Sequence, residues 1–414
     1  MARPHALPET ARVTDTPPDP SRIPALFEAG QVDRLRQAVQ ALTPGAGHSQ
    51  LFPYLLAAGA LGALPRPLLD SWLEVIPEDL RPDLRYRALI GCGCWTRAAT
   101  LRHHPARSGN DAFQSACRMS ASLALLAAGK PRMGMRFYHY RMAAGSGYLR
   151  HVTRVYSYRP AWQTQAGTIF LDQGVGDRFL HLAHIRAHHP PHPLTFAVVP
   201  RWQPVIAWLF PEDRVIDMPT APGKPVTEAN ASGDYLALAM FKTGRFAPAA
   251  RLGPPVRRGP PRFGLVWRGG SHQNQTEERQ MFLRTLLDLL PDGTGLVALQ
   301  PSLTEEERGV LRAMPGMHLP AFDVTADLKS YARLVSGLAG VIGVDNSAVH
   351  VAGVFGVPSY TFMNRAAHWY WGPGKTTDAL YPEGRTGSID APDRADLHRW
   401  MDECRSRYAA RSPA

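Results

Sequence analysis

Several stretches of this chain place chemically capable side chains at the turn between an apolar strand and a helix. The clearest is GVIGVDNSAVHVAGVFGVPSY, Gly340 to Tyr360. Its apolar run ends at Asp345, and a helix is predicted from about Ser347 until Gly356 and Pro358 stop it. Ser347 and Ala348 then lie in the first turn, where unpaired N–H groups and the positive end of the helix dipole point outward. Such a turn suits a phosphate, and the Ser347 hydroxyl adds a donor. His350, one turn on, is aimed at the same mouth and can hydrogen-bond a phosphate or a sugar hydroxyl. The same residues also describe a plain capped helix, with Asp345 and Ser347 as caps and His350 as a core histidine.

A second stretch, IFLDQGVGDRFLHLAHIR, runs from Ile169 to Arg186. Gly174 and Gly176 permit a tight turn and a close backbone approach. Asp177 stands at the helix entry, where a carboxylate can take a proton from a hydroxyl as a general base, or simply cap the helix. The six-position dinucleotide fingerprint is absent. In a third stretch, FGLVWRGGSHQNQTEERQMFL, a strand ends at Trp267 and opens into a polar, Gly-rich loop. Arg268 and Arg279 there match the bidentate geometry of a phosphate, although a solvated arginine is the ordinary alternative. Gln300 ends the strand GLVALQ and is placed to meet a base or a ribose. Trp369, Tyr370 and Trp371 form an aromatic knot that suits loop packing more than ligand stacking. His188, His189 and His192 are clustered within AHHPPHP, a rigid turn that argues against a metal site.

The elements that must carry these residues change texture along the chain. Residues 1–20 are polar and proline-rich and read as a flexible tail without the apolar core of a secretory signal. From Ser21 to about Arg150 the apolar pattern is helical, with Gly30, Gly62, Gly93 and Gly129 at a spacing close to the ~34 residues of TPR arrays; an irregular helical domain is the alternative. From 151 onward, strand and helix alternate, which implies parallel sheets. GTIFLD, LTFAVVP, RVID, FGLVW, GLVALQ, GVIGVD and SYTF read as strands. DRFLHLAHIRAHH, WQPVIAWLF, EERQMFLRTLLDLL, TEEERGVLRAM, DLKSYARLVSG and NSAVHVAGVF read as the helices between them. Leu252 to Arg262, LGPPVRRGPPR, reads as a linker between two Rossmann-like halves, whose ligands bind at the carboxyl ends of the strands.

The 414 residues leave room for two or three domains, and 44% apolar with 20% charged residues fits a globular protein. A net charge of +11 suits an anionic ligand, but the arginines are scattered. Four cysteines, Cys92, Cys94, Cys117 and Cys404, are too few for a disulfide scaffold and lack the paired spacing of a zinc site. Reduced thiols in a cytoplasmic compartment are expected. No run reaches the ~20 apolar residues of a membrane span.

In order, these segments resemble the TPR-containing glycosyltransferases related to bacterial lipopolysaccharide heptosyltransferases and, more distantly, protein O-GlcNAc transferases. LDQGVGDRFLHLAHIRAHHP resembles the family's Gly-rich turn with its Gly-Asp pair. FGLVWRGGSHQNQTEERQMFL resembles its Trp-x-Gly loop and Arg helix, and VALQ with VDNSAVHVAGVFGVP its donor-site strand and helix. HWYWG is similar to the aromatic step that follows, and LLAAGKPRMGMRFYHYR to the last TPR helix pair. The chain departs from the family in the loop RGGSHQNQ and in having no lysine after Gln300.

The resemblance implies an α/β fold of the GT-B type, two Rossmann-like lobes facing a cleft, preceded by an α-helical TPR-like domain. The implied domains are 21–150 (helical), 151–252 (acceptor lobe) and 253–414 (donor lobe). It implies an inverting transfer from an NDP-sugar co-substrate, without cofactor or metal, to a glycan, a lipid-linked saccharide or a protein side chain. Asp177 is the implied base. Asp345, Ser347, Ala348, His350, Arg279, Trp267 and Gln300 are the implied donor-site residues. The helical region could take a protein partner; no nucleic acid is implied. Two alternatives remain at this stage: a non-catalytic TPR-like interaction protein with a decayed transferase body, and a GT-B-like nucleotide-sugar epimerase.

Overall fold

The computed structural model describes residues 20–28, 32–60, 65–77, 85, 88–89, 119, 122–123, 125–126, 129–138, 155–156, 167–218, 229–246, 249–254, 259–269, 280–363, 369–371 and 380–410. The chain divides into two compact units, Met1–Cys92 and Gly93–Ala414. The tail expected over 1–20 lies outside the described residues except for Pro20, as does most of the linker's centre, 255–258.

In the first unit, α1 (Ile23–Glu28), α2 (Val32–Gln40) and α3 (Phe52–Ala60) pack on one another around Ile23, Leu35, Leu55 and Leu56. The fourth helix, α4 (Arg66–Val75), starts with a proline in its first turn, where a missing N–H costs nothing. Leu69, Trp72 and Leu73 line its buried face at helical spacing. The Trp72 ring packs edge-on against Phe52 at 6.4 Å and His48 at 5.9 Å. Of the glycines that mark the repeat, Gly129 turns in the left-handed region at φ 73°, while Gly30, Gly62 and Gly93 lie outside the described residues. The next described helix, α5 (Pro131–Tyr138), belongs to the second unit.

That second unit is α/β. Among the described residues its first sheet has the order β1-β5-β2-β3-β4, and every pairing is parallel. The strands are β1 (Val155–Tyr156), β2 (Thr168–Phe170), β3 (Thr195–Val198), β4 (Arg214–Asp217) and β5 (Ala229–Ala231). Helices α6 (Val175–Ala187), α7 (Gln203–Leu209) and α8 (Gly233–Thr243) connect or follow them. The second sheet, also parallel throughout, has the order β11-β10-β9-β6-β7-β8. It comprises β6 (Phe263–Val266), β7 (Leu296–Ala298), β8 (Met317–His318), β9 (Gly340–Val344), β10 (Ser359–Met363) and β11 (Gly384–Ser388). Its helices are α9 (Leu283–Asp288), α10 (Glu305–Ala313), α11 (Leu328–Ser336), α12 (Ser347–Val354) and α13 (Arg394–Ala410). Strands β6, β7 and β9 are buried at every position, as continuous apolar runs must be when both faces of a sheet are covered.

One expected helix begins later than its sequence pattern suggests. Within EERQMFLRTLLDLL, residues 277–279 lie outside the described residues and Gln280 instead forms an antiparallel bridge with Arg268. The Met281 amide donates to the Trp267 carbonyl at 2.9 Å, and the helix starts only at Leu283. Met281 and Leu283 are buried while Phe282 between them is 85% exposed. Phe282, extended at φ −63° and ψ 137°, is the residue from which the helix starts.

Elements of the two sheets touch in several places. Helix α6 packs on α12, Trp208 stacks on Phe355 at 5.6 Å, and the Arg201 guanidinium donates to the Thr325 carbonyl at 3.3 Å. Among the described residues no helix is long and apolar enough to cross a membrane.

On α6, His184 is 1% exposed and its Nε2 has no hydrogen-bond partner among the described residues. Burial, with smaller contributions from His181 and His188, lowers its pKa from 6.5 to about 3. The unfolded chain therefore binds a proton that the fold refuses, so stability present above pH 6.5 is lost as the pH falls toward 3. Between pH 7 and pH 5 the wild type should lose about 2 kcal/mol more than His184→Leu, measured by urea unfolding.

Candidate active site

The site is assembled by two strand-to-helix turns. In the first, β2 leads through Leu171, Asp172 and Gln173 into α6. Gln173 holds φ 71°, a left-handed conformation that costs a non-glycine residue of order 1 kcal/mol and must be held by its surroundings. Asp172, fully buried, supplies part of that hold. Its Oδ1 accepts the Ser232 hydroxyl at 2.9 Å and the Gly233 amide at 2.7 Å, while its own amide donates to Ser232 Oγ at 3.1 Å. Because Ser232 spends its proton on Asp172, His181 Nδ1, 3.0 Å away, is the donor to Ser232 Oγ. This buried network ties the end of β2 to the start of α8.

Gly174 then caps α6, and Asp177 occupies its third position, where Oδ2 accepts the Gly174 amide at 3.1 Å. The aspartate is thus a helix cap whose Oδ1 projects from the turn. Gly176 is buried, and a Cβ there would lie 2.5 Å from His350 Cδ2 and 3.1 Å from Ser347 Cα. The first turn of α6 therefore rests directly on the first turn of α12.

The second turn follows β9. Asn346, rather than Asp345 or Ser347, caps α12: its Oδ1 accepts the Ala348 amide at 3.1 Å and the Ser347 hydroxyl at 3.0 Å. Its Nδ2 donates to the Arg268 carbonyl at 2.6 Å, which fastens the loop after β6 to this cap. Ala348 is fully buried, so its amide faces its own cap. The His350 ring, 5% exposed, has Nε2 3.5 Å from Asp345 Oδ1 and Nδ1 2.7 Å from the Tyr381 hydroxyl. A carboxylate only accepts, which favours the tautomer with the proton on Nε2 and Tyr381 donating to Nδ1. Tyr370, Trp371 and Tyr381 surround the ring at centroid distances of 5.3, 5.5 and 5.7 Å.

Trp267 and Gln300 form a separate clasp. Gln300 Oε1 accepts the amides of Trp267 at 3.0 Å and Arg268 at 2.8 Å. Glu307 accepts the Trp267 indole N–H at 2.8 Å and pairs with the Arg268 guanidinium. Burial opposes ionisation of that carboxyl, but hydrogen bonds from Thr304, Trp267 and Arg268 and the charge of Arg268 outweigh it and lower its pKa. Gln300 and Arg268 thus bond within the protein, and Arg279 lies outside the described residues.

The structure brings Asp177, Gly174, Gly176, Asp345, Ser347, Ala348 and His350 together. Its least legible member is Tyr370, in the short turn Trp369–Trp371, whose hydroxyl donates to Asp177 Oδ1. Burial first, then the Asp177 charge, raises the Tyr370 pKa well above its ordinary value, so the phenol stays neutral and acts as donor. Asn346 carried a signal, a cap-forming residue just ahead of the apolar helix; Tyr370 and Tyr381 carried none that linked them to residues so distant in sequence.

No protein-family model matches the chain, and no curated protein does. Among solved structures it is similar to the E. coli ADP-heptose LPS heptosyltransferase II, with TM-score 0.42 and 11% identity over 58% of this chain and 99% of that one. It is similar to E. coli heptosyltransferase WaaC with ADP, at 0.39 and 12% over 57% and 99%. A Thermobaculum terrenum O-GlcNAc transferase is similar over 94% of this chain and 92% of its own, at 0.29 and 13%. These are the two families that the sequence segments resemble.

The Gly176 contact gives a direct check on the packing. Gly176→Ala should lower stability by about 1–3 kcal/mol in denaturant unfolding, since neither a buried imidazole nor a helix backbone can yield. The same change at Gly309, in exposed α10 with nothing within 4 Å of the new methyl, should raise it by about 0.5–1 kcal/mol.

Proposed function

We propose that the chain is a glycosyltransferase of the two-lobed GT-B kind that moves a sugar from an NDP-sugar to an acceptor hydroxyl. The single observation behind this reading is that two helices, α6 and α12, meet at their N-terminal turns, with the Asp177 carboxylate on one and Ser347 and His350 on the other. Two positive helix ends at one place favour a dianionic diphosphate, and a carboxylate beside them is positioned to accept a proton. In the proposed step the acceptor oxygen bonds to the anomeric carbon and its proton passes to Asp177. The bond between that carbon and the diphosphate oxygen breaks, and the NDP leaves with the electron pair. Attack from the side opposite the leaving group inverts the anomeric centre, and the α12 turn with His350 stabilises the departing charge without a metal.

A second reading, a non-catalytic body that keeps this fold, draws on one observation as well: the Tyr370 hydroxyl already engages Asp177, and three aromatic rings enclose His350. NDP-sugar hydrolysis separates the two. With the wild type active, Asp177→Asn should lower kcat by about 10²–10⁴-fold with little change in donor KM. A wild type that neither shifts its melting temperature with any nucleoside diphosphate nor turns over any NDP-sugar would refute the transferase reading.

A further inference from the structure

The turn Trp369–Trp371 lies over both residues on which the proposed reaction depends. Tyr370 is 6% exposed; its hydroxyl donates to Asp177 Oδ1 and its ring stands edge-on to His350, at 5.3 Å and 79°. Trp371, 2% exposed, covers the same imidazole at 5.5 Å and packs on Tyr381 at 5.9 Å. The other carboxylate oxygen, Oδ2, is bound to the Gly174 amide within its own helix cap. Oδ1 is therefore the oxygen that projects from the cap, and a hydroxyl of this chain holds it.

The kind of bond matters. A neutral phenol donating to an aspartate is chemically the contact that an attacking hydroxyl makes with a general base before its proton moves. Tyr370 cannot itself complete that transfer readily, because burial and the neighbouring negative charge both disfavour the phenolate. On the transferase reading of this site, on which the inference rests, we infer that Tyr370 occupies the acceptor's place at Asp177 and is an internal competitor that an acceptor hydroxyl must displace. The enzyme is thereby held back from spending its donor on water, and the true acceptor is one whose own contacts outweigh the Tyr370 bond.

Tyr360 supplies an internal control. Its hydroxyl also donates to an aspartate, Asp396, at 3.0 Å, but on β10 and α13, in a different aromatic cluster with Phe362 and Trp400. A hydrogen bond to a charged partner corresponds to about 10- to 150-fold in an equilibrium constant. The full-length wild type, Tyr370→Phe and Tyr360→Phe are compared for UDP, GDP and ADP binding by thermal shift, then for hydrolysis of the matching NDP-sugars. Tyr370→Phe should raise the hydrolysis rate about tenfold while nucleotide binding stays unchanged, and Tyr360→Phe should leave the rate at the wild-type value. Hydrolysis by Tyr370→Phe equal to or below the wild type, with nucleotide binding intact, overturns the competitor and leaves the transferase reading standing. Equal acceleration by Tyr360→Phe also overturns it, since a general loosening would then explain the effect. Absence of binding and turnover in all three proteins sinks the transferase reading and the competitor with it.

Discussion

The contact between the first turns of α6 and α12 is the constraint on which the rest of the site depends. It exists because Gly176 has no side chain: even a methyl group would run into the His350 ring and the Ser347 backbone. Helices ordinarily keep their axes 8–10 Å apart, and only small residues allow a closer approach. Placing that approach at the N-terminal turns has an electrostatic consequence. Two positive dipole ends repel each other unless negative charge lies between or beside them. Asp177, in the first turn of α6, and Asp345, just ahead of α12, are the carboxylates nearest to that need. The same arrangement that lets the helices touch favours negative charge beside it, and Asp177 meets that need as a helix cap as well as standing as the proposed base.

Around this contact the loops are fixed by polar groups with no catalytic chemistry of their own. Asp172, Ser232 and His181 lock the turn before α6, at a depth where every donor needs an acceptor. Asn346 locks the turn before α12 and reaches across to Arg268. Gln300 and Glu307 in turn lock Arg268 and Trp267. The three anchors form one relay from the β2 turn, through the α6–α12 contact, to the loop after β6. Gln300 is joined to the α12 cap through the Arg268 backbone, whose amide it accepts and whose carbonyl takes the Asn346 side-chain amide.

How much of this was legible in the sequence varied with the kind of signal. The long buried strands were plain, because GVIGV and FGLV have no other use as apolar runs between turn residues. Helix α12 was plain too, although its cap is Asn346 rather than Asp345 or Ser347. Strands β1, β5, β8 and β11 were missed: β1 and β8 are only two residues long, ANA has no β-branched or aromatic residue and GRTGS only Thr386, and all four are strands because neighbours pair with them. The start of α9 was misread because Gln280 and Met281 are captured by the edge of the Trp267 loop, a tertiary contact that overrides helical propensity. For the candidate site, local turn chemistry singles out Asp177, Ser347 and His350, and the structure brings their turns together. Gln300 was found as a strand-end polar group, but sequence could not say that its amide oxygen would be spent on two backbone amides. Tyr370 lies 193 residues from Asp177, and no local pattern announces a pairing at that distance.

Taken as a set, the polar groups of the site are paired with one another: Asp177 with Gly174 and Tyr370, His350 with Tyr381, Ser347 and Ala348 with Asn346. Each pair satisfies groups that burial would otherwise penalise. A ligand entering here gains only the difference between its own hydrogen bonds and those it replaces, so tight binding needs more than a match to one residue. On the proposed transferase reading, a diphosphate would meet that condition at α12, since its charge interacts with the helix dipole in a way the neutral Asn346 amide does not. At Asp177 the balance is closer, one hydroxyl for another. On that same proposed reading, the steepest selectivity of the site would therefore fall on the acceptor, whose remaining contacts must tip an exchange that is nearly even at the carboxylate itself.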